Sequence, residues 1–210
     1  MSLNQVIGAE IRQVVDKDFE GQPARAVVGI RTYPTHPADL WDALTNPERV
    51  PRWFSPIDGD LRLGGRYQIT GNAGGTINRC DPPAALDLTW EFAGAVSWVT
   101  LRLEPDGEGT RLTLEHIVLI KDVDSEHWKK FGPAAVGVGW DLSFLGLGWH
   151  IATGWAKTPE WEKAWVTSDE AKSFMFASAD AWRDADIANG EDPATAKARA
   201  DLTAKFYTGG

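Results

Sequence analysis

The stretch YPTHPADLWDALTNPERVPRWF, residues 33–54, decides how the chain is read. Tyr33 ends a β-rich run, ARAVVGIRTY (24–33), in which Ala26, Val28 and Ile30 alternate with Arg25, Val27 and Arg31. Pro37 stands where a first helical turn tolerates proline, and Leu40, Trp41 and Leu44 share one face by 3–4 spacing. Asn46-Pro47-Glu48 is a second start signal: a capping side chain, proline at the first helical position, and an acid against the positive helix end. Val50, Trp53 and Phe54 give that second helix its apolar side. Two short amphipathic helices directly after a strand need an apolar surface to lie on. The rest of the chain is expected to supply a sheet.

Downstream, short apolar runs alternate with turn residues. Leu61 and Leu63 precede Gly64-Gly65, a two-residue hairpin signal. Tyr67 and Ile69 alternate with Gln68 and Thr70, and Gly71 to Gly75 form a turn. Strands follow over 76–80, 86–92, 96–103 and 110–119, with Asp81-Pro82-Pro83 as a corner and Pro105 to Gly109 as a loop. LRLEPDGEGTRLTLEH (101–116) reads as a hairpin, and the set as an antiparallel meander. Upstream, residues 5–17 read as a strand or a frayed lead-in.

Side chains alternate across a strand, so parity sorts the faces. Leu86, Leu88, Trp90 and Phe92 are in phase; so are Val99, Leu101 and Leu103, and Leu112, Leu114, His116 and Val118. Trp98, Thr100, Arg102, Glu91 and Glu115 fall on the other side. A sheet with one apolar face needs a cover. Residues from about Pro133 provide it, with Val136, Trp140, Phe144, Leu147 and Ile151 in one helical stripe. Gly137, Gly139, Gly146 and Gly148 each lower helix propensity by about 1 kcal/mol against Ala, which suits a bend or a close neighbour. The expected class is α+β. After about residue 153 the composition changes. Thr167-Ser168-Asp169-Glu170 is a capping box, Asn189-Gly190 a stop and Asp192-Pro193 a start. The division expected is a domain over 1–153 and a helical extension over 154–210.

Composition narrows the function. The chain has 210 residues, 43% of them hydrophobic, and a net charge of -9, a balance that repels nucleic acid and anionic membranes. Cys80 is alone, which removes an intramolecular disulfide and a cysteine metal site and suits a reduced, cytoplasmic setting. The N-terminus does not have the form of a signal peptide, and no apolar run reaches spanning length. Gly137-Val138-Gly139 lacks the rest of a dinucleotide fingerprint, and the glycines at 71–75 lack the Lys-Ser/Thr of a phosphate loop. His36, His116, His127 and His150 have no metal-ligand spacing. Neither a metal nor a cofactor is expected. No nucleophile, base and orienter can be named together.

The phrases LWDALTNPERVPRWF, GDLRLGGRYQ, PPAALDLTWEF and DGEGTRLTLEH carry a resemblance over roughly residues 24–153. They resemble the START-like superfamily, in particular the bacterial branch named after the activator of heat-shock protein 90 ATPase. That resemblance implies a helix-grip fold, a curved antiparallel sheet wrapped around a long C-terminal helix, and binding of a hydrophobic or amphipathic molecule between them. The ligand-binding candidates are His116, Trp90, Tyr67, Trp140, Phe144, Leu101 and Leu114, with His116 and Tyr67 orienting the ligand. Arg66, Arg79 and Asp58, near strand ends, are candidates for a cavity mouth. His116 reads equally as a core histidine with a satisfied hydrogen bond. Two other readings stand beside ligand binding. One is a cyclase, dehydratase or hydrolase using the same cavity; the other is a chaperone-associated interaction module. The eleven Trp, seven of them between Trp128 and Trp182, suggest a tail docked on the domain, a homodimer surface, or a small core of its own.

Overall fold

Hairpins with two-residue loops set the frame of the computed structural model, which describes residues 11–123 and 125–210. Strand β6 (Ala85–Phe92) turns into β7 (Ala95–Asp106) through Ala93 and Gly94, whose φ of 50° and 82° are the positive pair that a type I′ loop requires. β7 turns into β8 (Gly109–Leu119) through Gly107 and Glu108, with Gly107 at φ 60°. The resulting registers place Leu86 opposite Leu101, Leu101 opposite Leu114, Val99 opposite His116 and Leu103 opposite Leu112. The apolar set read from parity is therefore one face. The opposite face carries the charges, which pair across strands: Arg102 with Asp87, Arg66 with Glu91 at 2.7 Å, Arg111 with Asp106 at 3.0 Å.

The remaining strands are β1 (Ile11–Phe19), β2 (Gln22–Tyr33), β3 (Ile57–Gly59), β4 (Arg66–Ile69) and β5 (Gly74–Asp81). The sheet order is β1-β2-β8-β7-β6-β5-β4-β3, and β3 to β8 pair antiparallel in sequence order. The helices are α1 (Pro37–Thr45), α2 (Ile120–Val123), α3 (Glu126–Phe131), α4 (Ala134–Thr153), α5 (Pro159–Val166), α6 (Asp169–Ala188) and α7 (Pro193–Thr208). The class is α+β with the elements of a helix-grip fold, as expected. The residues before Ile11 in the expected first strand lie outside the described ones.

Two local expectations are corrected. The second helix after Asn46 is a single 3₁₀ turn, Val50–Arg52. Asn46 accepts from the Glu48 N–H at 2.9 Å, but Arg49, the residue that precedes the 3₁₀ turn, makes no side-chain cap. Pro51 lies inside this turn and has no N–H to donate to the Pro47 carbonyl, so the turn after Asn46 does not run on into it as one helix. Leu61 and Leu63 are not strand residues: β3 ends at Gly59, and Leu63 is exposed in the loop that follows. The glycines after it pair with β5 instead of forming a tip, Gly64 N–H donating to the Ile77 carbonyl at 2.8 Å and Ile77 N–H to the Gly65 carbonyl at 3.0 Å.

The chain packs as two compact units, a sheet unit of Ile30–Ile117 with Ser143–Lys157, and a helical unit of residues up to Gly29, Val118–Leu142 and Thr158–Gly210. In the helical unit α7 is capped by Asp192 as expected, and α6 by Ser168 in place of the Thr167 that the box required. Ser168 accepts from Ala171 N–H at 3.1 Å and Asp192 from Thr195 N–H at 2.9 Å. The core of this unit gathers Val14, Val27, Trp128, Val138, Met175 and Trp182. Trp161 stacks on Trp165, with ring centroids 5.5 Å apart, and Trp165 meets Phe174 edge-on.

Gly137 explains how α4 and α6 approach so closely: a Cβ there would lie within the Trp182 ring system, and Trp182 is fully buried. Gly137→Ala gains about 1 kcal/mol of helix propensity but overpacks a rigid ring, at about 1–3 kcal/mol. The variant is expected to melt at a lower temperature than the wild type. A higher melting temperature would show that the ring is not held against α4.

Asp186, in the last turn of α6, is buried. Its Oδ2 lies 3.6 Å from Arg199, and its Oδ1 has no partner among the described residues. Burial and the nearby Glu191 push its pKa from 3.8 up to about 6, against the pull of Arg199 and Arg25. The folded state therefore prefers the protonated acid. That stabilisation is complete below the unfolded value and is lost as pH rises through the folded one. Asp186→Asn, permanently neutral, is expected to gain about 1–3 kcal/mol near pH 7.5 and almost nothing near pH 3.5. Equal urea midpoints for the two proteins at neutral pH would refute this.

Candidate functional site

A polar spot interrupts the apolar face of β6, β7 and β8. His116 is 4% exposed, and its Nε2 lies 2.9 Å from Ser97 Oγ. The Ser97 hydroxyl donates to the Trp90 carbonyl across the β6–β7 pair at 3.2 Å. A hydroxyl has one proton, so Nε2–H of His116 is the donor to Ser97, and this fixes the tautomer. The Trp90 ring meets the imidazole edge-on at 5.9 Å. Burial alone pushes the imidazole from 6.5 down to about 4, so it is neutral at physiological pH.

Tyr67 approaches the same face from β4. It pairs with Gly75 on β5, and its hydroxyl reaches across that strand to donate to the Thr89 carbonyl of β6 at 2.7 Å. Gly75 permits the close strand contact, since a Cβ there would meet the Thr89 carbonyl. Burial pushes the phenol pKa up, so it too stays neutral. Leu101 and Leu114 are buried between these polar groups and the far end of the face. Exposure rises along β6, from buried Leu86 through half-buried Leu88 and Trp90 to Phe92 at 53%. The open end of the face is thus at the β6–β7 turn, beside the His116–Ser97–Trp90 group.

The second half of α4 supplies Phe144, buried, whose carbonyl accepts from Arg31 Nη1 at 3.1 Å and from Tyr33 OH at 3.3 Å. Gly148 leaves space for the Arg31 guanidinium, and Gly146 for the Trp53 carbonyl. At the helix end His150 accepts from Arg49 Nε at 3.0 Å and donates from Nδ1 to the Trp155 carbonyl at 2.8 Å. Arg49 is held in turn by Asp39 at 2.8 Å and Asp42 at 3.0 Å, both on α1. This network fastens the helix; it is structural support.

Six of the seven candidates thus lie in the sheet unit. Trp140, half-buried, belongs to the half of α4 that lies in the helical unit. Arg66 and Arg79 do not reach the face. They pair with Glu91 and Asp81 instead. Ser97 was missed, although its parity with Val99 and Leu101 places it on the apolar side. Among the described residues no group of His, Cys, Asp and Glu side chains is placed to hold a metal ion, and no helix is long and apolar enough to cross a membrane.

The family model described as Activator of Hsp90 ATPase homolog 1-like protein matches residues 34–148. The chain belongs to this family. Its similarity to CalU16 from Micromonospora echinospora is 33% identity over 82% of this chain and 98% of that one, with a TM-score of 0.62 for the crystal structure. The CalU16 solution structure aligns over 87% of this chain and 97% of its own, at 32% identity and a TM-score of 0.70. Residues 1–148 are only 148 of the 210 here, so the likeness to CalU16 runs beyond the family match into the helical tail. An HSP90 activator from Plasmodium falciparum shares the family's fold at 20% identity, over 63% of this chain and 99% of that one, with a TM-score of 0.52. No curated protein matches the chain.

Proposed function

We propose that the sheet unit binds a small hydrophobic or amphipathic molecule, without covalent chemistry, against the apolar face of β4 to β8. His116, Trp90, Tyr67, Leu101 and Leu114 contact it from the sheet and Phe144 from α4. The observation that carries this reading is the His116–Ser97 pair: a neutral, rigidly oriented polar fixture on an apolar face, next to that face's exposed end. Binding sites of this kind are mostly apolar, with few polar groups fixed in place. Burial of the ligand provides the driving force, about 25 cal/mol per Å² of apolar surface removed from water. An acid–base enzyme is less well supported. An imidazole held near 4 is a weak base at neutral pH, and Ser97 gives its proton to a backbone carbonyl.

Native mass spectrometry of the protein purified from its own host tests the reading, together with Nile red titration. The wild type is expected to retain a small-molecule mass or to bind the dye saturably. His116→Phe, checked for folding by circular dichroism, is expected to weaken that binding about tenfold, the effect of one lost hydrogen bond to a buried group. A folded wild type with neither adduct nor dye binding would sink the proposal.

A further inference from the structure

The charges on this part of the sheet are sorted by face, and the sorting selects the ligand. Arg66, Asp87, Glu91 and Arg102 lie on the face away from the binding candidates, and they form the ion pairs Arg66–Glu91 and Arg102–Asp87. On the ligand side, the titratable groups of β4 and β8 are Tyr67 and His116, and both are held neutral by the same cause, removal from water. Arg31, like Arg49 at the helix end beside His150, is a cation that faces the second half of α4. Its guanidinium donates to the Phe144 carbonyl, lies 5.2 Å from the Tyr33 ring centre and occupies the notch at Gly148. A ligand anion seated against His116 and Ser97, both themselves buried, would have to draw Arg31 off the helix or stay unpaired away from water, and either is costly.

We propose that this face selects an uncharged ligand, with an apolar body and a neutral hydrogen-bonding group at the His116–Ser97 end, and excludes carboxylate and phosphate amphiphiles. This rests on the ligand-binding reading above and adds the chemical class. A fatty acid would be rejected in its ionised form, while the alcohol of the same skeleton is accepted. Ser97 and His116 are already joined to each other, so the fixture meets the ligand as a preoriented dipole and not as a counter-ion.

Matched pairs of probes test it: dodecanol with dodecanoate, naphthalenemethanol with naphthoate, and pyrenemethanol with pyrenecarboxylate. In any pair that binds, the alcohol is expected to be held at least about 100-fold more tightly at pH 8, as befits an unpaired buried charge. Between pH 6 and 8 the apparent affinity of the acid should fall about tenfold per unit, because only its protonated form enters, while the alcohol's stays flat. His116→Arg, which puts a cation at the fixture, is expected to raise carboxylate affinity about tenfold or more. The wild-type pH series does not depend on that variant folding. Equal affinities within a pair, or a carboxylate site abolished by Arg31→Gln, would overturn the neutral-ligand class and leave the binding site standing. Failure of the wild type to bind any of the six probes would overturn the binding reading and this inference together.

Discussion

Acidification from about pH 6.5 to pH 4 is expected to lower the unfolding free energy by about 3 kcal/mol through His116 alone. The folded-state value is depressed, from 6.5 to about 4, because the ring is buried. Below pH 6.5 the unfolded chain takes up a proton that the folded chain refuses. The stabilisation is therefore whole above the unfolded value and drains away as pH falls toward the folded one. Urea unfolding at a series of pH values should show a slope of about 1.4 kcal/mol per unit from this group over that window. His116→Phe should remove that component and leave the rest of the profile in place. If the two profiles are parallel, the imidazole is reached by water and the neutral fixture proposed for the ligand does not exist.

Asp141→Ala is expected to cost about 3–5 kcal/mol, the range for breaking a buried ion pair by deleting one partner. Asp141 is 1% exposed, in the middle of α4. Arg12 Nε at 2.7 Å, Trp182 Nε1 at 3.0 Å and the Ser178 hydroxyl all converge on its Oδ2. Burial pushes this carboxyl's pKa up and the three donors pull against it. The truncated variant strands a guanidinium, an indole N–H and a hydroxyl in a dry interior. Pairing it with Arg12→Leu should return part of the loss, so that the double variant is more stable than the sum of the single effects predicts. Additive losses would mean that Arg12 and Asp141 are not coupled. A single-variant loss below about 1 kcal/mol would mean that water reaches the site.

The sheet was the most legible part of the chain because its information is local. In DGEGTRLTLEH the turn glycine and the alternation sit within a few residues, and the register follows from them. The same alternation placed His116 inward. Ser97 has the same parity as Val99 and Leu101, but a serine by itself carries no signal of what it bonds. Other features depend on residues far apart in sequence. Asp141 is one charge within the apolar run 133–151, and its partners are Arg12, Ser178 and Trp182, at separations of 129, 37 and 41 residues. The Arg49–His150 bond spans 101 residues, and nothing in either local pattern announces it. The second helix failed for a local reason: Asn46-Pro47-Glu48 is a sound start, but Pro51 has no N–H to carry the bonding from that first turn onward.

The glycines of α4 bear on how the chain acquires its shape. Four of them in a twenty-residue helix forfeit about 4 kcal/mol of intrinsic preference, so the isolated segment has little tendency to wind. The hairpins, closed by loops of two residues, are ready to form early. The segment from Ala134 to Thr153, whose four gaps are filled by Trp182, Tyr207, Trp53 and Arg31, is then expected to wind only as these groups arrive. In a stopped-flow refolding trace, the circular-dichroism signal of this helix is expected in the final slow phase, with its amides gaining protection together with the last tryptophan to be quenched.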